Sequence, residues 1–167
     1  MRFIPYSFSL LRGFSILAVC IGWMLSSLPA EAGSIDPFVL RYLDAKEPVE
    51  LAVDTQGQTQ LFTAKDLSEG KRLFEENCKN CHVAGTTLPN PLVPLSLEAL
   101  KGATPPRDTI QSLVVFLRQP MTFDGSEEAY LCRQVPESWM SPVQVERLSA
   151  FILRSAQNAP GWGSTSF

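Results

Sequence analysis

The sequence predicts a mainly α-helical domain with a short N-terminal β-hairpin arm. Three observations predict it. Apolar residues recur at helical spacing over residues 63–81, 108–118 and 141–152. Residues 49–62 instead alternate about a glycine-containing turn. Once a leader is removed, roughly 135 residues remain, which suits one small domain plus an arm.

Residues 1–32 read as an export signal. Arg2 and Arg12 are the only charges before Glu31, and Phe14 to Leu25 is an almost unbroken apolar run. Leu28-Pro29-Ala30-Glu31-Ala32 then presents small residues at the A-x-A positions, so cleavage after Ala32 is expected. The run is shorter than the about 20 residues that span a bilayer. Cys20 lies in this run behind Val19, the wrong neighbour for a lipidated cysteine, and leaves with the signal. The full chain has a net charge of −3; losing Arg2, Arg12 and Glu31 takes it to about −4. An acidic chain argues against nucleic acid, which needs a basic patch. Association with a membrane is expected to be peripheral at most.

Residues 33–65 form the expected arm and 66–167 the expected domain. In the arm, Val49-Glu50-Leu51-Ala52-Val53 and Thr59-Gln60-Leu61-Phe62 flank Asp54-Thr55-Gln56-Gly57, a hairpin too short to stand without the domain. Thr63, with Asp66 three residues on, opens the first helix as a capping box. Leu67, Gly70, Leu73, Phe74, Cys78 and Cys81 fall on one face, so this helix is expected to deliver both cysteines on its buried side. Ser96 to Leu100 is a short helix stopped by Gly102. Ile110, Leu113, Val114 and Leu117 mark a helix over 108–118 that Pro120 ends. Ser141-Pro142-Val143-Gln144 opens the last helix, with Val145, Leu148, Phe151 and Ile152 on its buried face. Residues 158–167 read as a Gly/Ser-rich tail. Gly70, Phe74 and Phe151 suggest that the first and last helices cross; periodicity alone reads them as ordinary core residues.

The chemistry lies in Cys78-Lys79-Asn80-Cys81-His82, a C-x-x-C-H string holding the one histidine of the chain. This is the attachment signature of a single covalent haem c. Two thiols at i and i+3 add to the two vinyl groups of one porphyrin, and the next residue, His82, lies under the iron as proximal ligand. A Cys78–Cys81 disulfide is the simplest competitor in an oxidising compartment. A zinc site would need two further ligands, and a thioredoxin-like pair would want a preceding strand where a helix is predicted.

No histidine is left for the far side of the iron. Met24 leaves with the signal, and Met121, Met140, Cys132, a lysine or water remain. Cys132 is the unpaired thiol of an exported chain, which calls for an explanation. A thiolate ligand is one, and an inert buried thiol is the other. Arg133 is a neighbouring cation of the kind that lowers a thiol pKa, or equally a solvated surface residue.

The strings Gly70-Lys71-Arg72-Leu73-Phe74, Ala103-Thr104-Pro105-Pro106-Arg107-Asp108, Phe123-Asp124-Gly125-Ser126-Glu127-Glu128 and Gly161-Trp162-Gly163, with the haem motif, resemble one family. It is the extrinsic low-potential cytochrome c of photosystem II, the cytochrome c-550 or PsbV family. The resemblance implies the class c cytochrome fold, with N- and C-terminal helices crossing beside an edge-exposed haem. It also implies a place in the thylakoid lumen, on the donor side of photosystem II. The family's distal histidine falls just after the D-G-S-E-E string, where this chain has Ala129-Tyr130-Leu131-Cys132-Arg133. Met140 aligns with a methionine the family carries in addition to that histidine. The expected axial pair is therefore His82 and Cys132, with Met140 as the alternative to Cys132. No general base or nucleophile is paired with the haem motif, so an enzyme is not expected. Three functions fit: a low-potential electron carrier serving photosystem II or another redox protein, a structural subunit supporting the oxygen-evolving complex, and a thiolate-haem sensor.

Overall fold

The computed structural model describes residues 34–88 and 93–164; the leader and its cleavage site lie outside them. Among the described residues the order is α1 (Pro37–Tyr42), β1 (Val49–Ala52), β2 (Thr59–Phe62), α2 (Ala64–Asn77), a 3₁₀ turn (Val83–Gly85), α3 (Leu97–Gly102), α4 (Ile110–Arg118) and α5 (Pro142–Asn158). The predicted class holds: the fold is mainly helical with one small antiparallel hairpin, in register Val49↔Phe62 to Ala52↔Thr59.

The hairpin turn is built by Asp54, whose carboxylate accepts from the backbone N–H of Gln56 and Gln58, with Gly57 at φ 89°. Val49, Leu51 and Phe62 point into the core, so the hairpin borrows its stability from the domain. Helix α1 is an addition to the sequence reading. Asp36-Pro37 is an N-cap followed by a first-turn proline, and the Asp36 carboxylate caps Phe38 N–H. Lys71 of α2 reaches back to Asp36 at 2.8 Å and ties α1 to α2.

Helices α2 and α5 make the main contact of the fold. Thr63 and Asp66 form the predicted capping box of α2, and Ser141 and Gln144 that of α5. A Cβ on Gly70 would overlap the Arg147 carbonyl and lie 2.8 Å from Phe151 Cβ, so the two backbones touch where glycine allows it. Phe74 and Phe151 meet there, ring centres 5.5 Å apart, and Arg147 Nε donates to Asp66 at 2.9 Å. The core-only reading of Gly70, Phe74 and Phe151 is thus too weak: they are the crossing.

Two expectations are corrected. Helix α2 does not carry both cysteines. It stops at Asn77, with Cys78 as C-cap at φ −120°, because Cys78 N–H and Lys79 N–H both return to the Phe74 carbonyl. Cys78 is half-buried, and Cys81 lies exposed in the turn beyond. Nor is the chain after α5 a plain tail, since Trp162 packs on Phe74 and Phe151 at 5.3 and 5.7 Å. In smaller changes, α3 runs through Gly102, and α4 begins at Ile110 behind a Thr109 cap.

Candidate haem site

The C-x-x-C-H segment is a chain of tight turns. Cys81 N–H and His82 N–H both donate to the Cys78 carbonyl, at 3.1 and 2.9 Å, which brings the two thiols onto one turn. Both are free thiols rather than a disulfide. Burial, then the neighbouring Cys132 and Cys81, push the Cys78 thiol up to about 11. His82 Nδ1 lies 3.2 Å from the Thr86 carbonyl and 3.2 Å from Thr87 Oγ1. Donation from Nδ1 to Thr86 fixes the tautomer that leaves Nε2 with a lone pair for a metal. Burial lowers the His82 pKa, against the Thr86 bond that raises it, so the ring is held neutral as a ligand must be.

The second half of the site is a stapled loop. Met121 and Glu128 pair as an antiparallel bridge, and Ala129 N–H returns to the Pro120 carbonyl at 2.9 Å. Within it, the Asp124 carboxylate accepts from Thr122 and Ser126; these hydrogen bonds hold it down to about 2. Gly125, at φ 73°, lies against the Thr104 carbonyl, and Thr104 N–H donates to the Phe123 carbonyl at 2.8 Å. Arg107 adds bonds from Nη2 to the Met121 and Thr122 carbonyls, and its guanidinium lies 4.1 Å over the Phe116 ring. The two family strings, T-P-P-R-D and D-G-S-E-E, are therefore one packed unit. Cys132 follows on a turn from Ala129. Arg118 closes the far end by donating to the Val135 carbonyl at 2.7 Å and the Met140 carbonyl at 3.0 Å.

This arrangement places Cys132 within electrostatic reach of Cys78 and Cys81. Its thiol is pushed up by burial, down by Arg107 and up by Cys81, so Cys132, Cys78, Cys81 and Arg107 share one electrostatic environment. Arg107, only 8% exposed, is the cation that acts on Cys132. Arg133 instead lies 5.4 Å over the Trp139 ring. Sequence reasoning missed Arg107 although it stands in a quoted string, because it and Cys132 are 25 positions apart, separated by α4 and a loop whose fold-back no local pattern shows. Cys132 is half-buried and forms part of the wall of a cavity of about 150 Å³ with Pro120, Glu128, Ala129, Tyr130 and Gln134. Met140 is 2% exposed and belongs to the hydrophobic core, while Met121 is half-buried in the loop bridge.

The residues fit a haem. Two free thiols stand three positions apart, a neutral imidazole follows with Nδ1 committed to the Thr86 carbonyl, and a third thiol, Cys132, lies near enough to act on their charges. Large apolar side chains flank the two halves without cover: Val83 and Leu88 beside His82, and Tyr130 and Leu131, 91% and 84% exposed, beside Cys132. Such a rim marks a surface that something apolar covers.

Comparison with known proteins agrees. The cytochrome c-550 domain matches residues 42–167. The chain belongs to the cytochrome c-550 family. A cytochrome c-550-like protein of Thermosynechococcus vestitus is 58% identical over 153 residues, 91% of this chain and 87% of that one. Photosystem II extrinsic protein V of Gloeobacter violaceus is 45% identical over 162 residues, 93% of this chain and 87% of that one. Among solved structures, the PsbV2 cytochrome of Thermosynechococcus elongatus superposes with a TM-score of 0.77 at 63% identity, covering 78% of this chain and 99% of that one. Cytochrome c549 superposes with a TM-score of 0.59 at 33% identity, covering 65% of this chain and 90% of that one. The fold is that of the c-type cytochromes, and membership of the cytochrome c-550 family implies covalently bound haem c.

Proposed function

We propose that this cytochrome c-550 family member is a low-potential electron carrier of the thylakoid lumen, holding one haem c through Cys78 and Cys81. His82 and Cys132 would hold its iron. The observation that carries the reading is the C-x-x-C-H string of free thiols, in a cytochrome c-550 family chain, sharing its electrostatic surroundings with a third, half-buried thiol at Cys132. The bound haem supplies one-electron exchange. The protein's residues hold and tune it. Cys78 and Cys81 fix the porphyrin in place, and the Thr86 carbonyl aims His82 Nε2. The Met121–Glu128 loop carries Cys132 on a frame braced by Arg107 and Arg118. A thiolate donates electron density and favours the ferric state, which sets a low potential. Met140 stays in the core as packing.

Among the described residues no helix is long and apolar enough to cross a membrane. A second reading is a structural extrinsic subunit. It is favoured by the 45% identity to a protein named as an extrinsic component of photosystem II. Mass spectrometry of the purified protein tests the cofactor: the mature mass plus one haem is expected, and haem that acid-acetone removes would reject covalent attachment. Purification of photosystem II from the native membrane separates the two roles. Stoichiometric co-purification favours the subunit, and its absence favours the carrier.

A further inference from the structure

The segment after α5 reaches the proximal side of the site from the opposite end of the chain. Gly161 and Gly163, at φ 73° and 67°, reverse the backbone in a turn closed by Ser164 N–H on the Gly161 carbonyl at 3.1 Å. The turn is seated between two elements. On one side a Cβ at Gly85 would lie 2.7 Å from the Trp162 ring. On the other a Cβ at Gly163 would lie 2.5 Å from Ser96 N. Gly163 N–H donates to the Ala84 carbonyl at 2.8 Å, and Trp162 Nε1 to the Leu95 carbonyl at 3.0 Å. Leu95 N–H in turn donates to the Gly85 carbonyl at 2.7 Å. Residues 84 and 85 are therefore held from outside their own turn by two hydrogen bonds and one aromatic ring.

These are unusual residues to hold. Ala84 has φ 49°, a left-handed conformation that a residue with a Cβ keeps only when its surroundings impose it. The next two residues, Thr86 and Thr87, supply the carbonyl and the hydroxyl that meet His82 Nδ1. The partner of the second ring nitrogen decides how a ligating histidine is oriented. The turn is not needed to finish α5, whose last carbonyls already receive Ala159 N–H at Ser155. Trp162 also packs on Phe74 and Phe151 at the helix crossing, where those two rings meet each other directly as well.

We propose that residues 160–164 are a clasp that positions His82, with Trp162 and Gly163 as positioning residues acting through Ala84, Gly85 and Thr86. The proposal rests on His82 being the proximal ligand. The test uses the ferric holoprotein and proton NMR of the four haem methyl groups, whose shifts follow the plane of the axial imidazole. A chain ending at Ala159 removes the clasp and leaves α5 whole. Gly163→Ala keeps Trp162 and drives a Cβ against Ser96. Trp162→Phe keeps the stacked ring and the turn and loses only the Nε1 bond to the Leu95 carbonyl.

The expected result is that truncation and Gly163→Ala each redistribute the methyl shifts, while Trp162→Phe stays near the native pattern. A native pattern in either disrupted protein overturns the proposal. If the truncated chain does not fold, Gly163→Ala decides. A native protein without haem mass, or with a haem pattern unaltered by changing His82, defeats the ligand reading and the clasp with it. A native His82-ligated haem with methyl shifts unmoved by Gly163→Ala defeats the clasp alone.

Discussion

Replacing Gly70 by alanine tests the helix crossing on which the site is mounted. The added Cβ would overlap the Arg147 carbonyl and approach Phe151 Cβ to 2.8 Å. The first obstacle is backbone, so no side-chain rotation relieves it and the helices must separate. Overpacking of this kind costs up to about 3 kcal/mol. Alanine returns about 1 kcal/mol of helix propensity over glycine. The net is a loss of about 2 kcal/mol. For a domain of this size that lowers the melting temperature by roughly 8 °C. The Arg147–Asp66 and Phe74–Phe151 contacts lie on the same seam and weaken with it. Urea and thermal unfolding of the holoprotein, followed by far-ultraviolet circular dichroism, measure the change. A variant stabilised by the propensity gain would refute the close crossing.

Other consequences follow from the same geometry. Cys132→Ser should shift the ferric spectrum strongly, and Met140→Leu, a volume-conserving core change costing less than about 1.5 kcal/mol, should leave it nearly native; the opposite pattern moves the ligand to Met140. Arg118→Ala removes the donors of the buried Val135 and Met140 carbonyls and should cost about 3 kcal/mol in urea unfolding, whereas a change within error would mean that the brace is idle. Burial raises the Asp66 pKa, but bonds from Thr63 and the charge of Arg147 outweigh it and hold the group below its ordinary 3.8. Its contribution to stability is therefore present above that value and lost as pH falls through the lower folded value. Asp66→Asn should flatten this part of an acid-unfolding profile, and an unchanged profile would remove Asp66 from the account.

Much of this molecule is legible in its sequence because its signals are local. The capping boxes at Thr63–Asp66 and Ser141–Gln144 are four-residue patterns whose partners lie within one turn, and the structure holds both. The hairpin is written by Asp54 and Gly57 in the same way. What local signals do not show depends on contacts between distant residues. Periodicity carried the face of α2 on to Cys81, but the Phe74 carbonyl takes two donors and ends the helix at Asn77. Arg133 adjoins Cys132 in the chain, yet Arg107 acts on it, because the loop at 119–131 folds back onto the T-P-P-R-D string. Trp162 lies in a glycine-rich end with no period to reveal it, and only the packed helices show that it reaches Phe74 and Gly85. Asp36-Pro37 was readable, as a cap and a first-turn proline, and α1 follows from it.

The central claim is an iron held between His82 and Cys132, and low-temperature electron paramagnetic resonance of the ferric protein tests it most directly. The account predicts a single low-spin signal with the narrow spread of g-values that a thiolate ligand gives, lost in Cys132→Ser. A high-spin signal, or a wide-spread low-spin signal that survives Cys132→Ser, would contradict it.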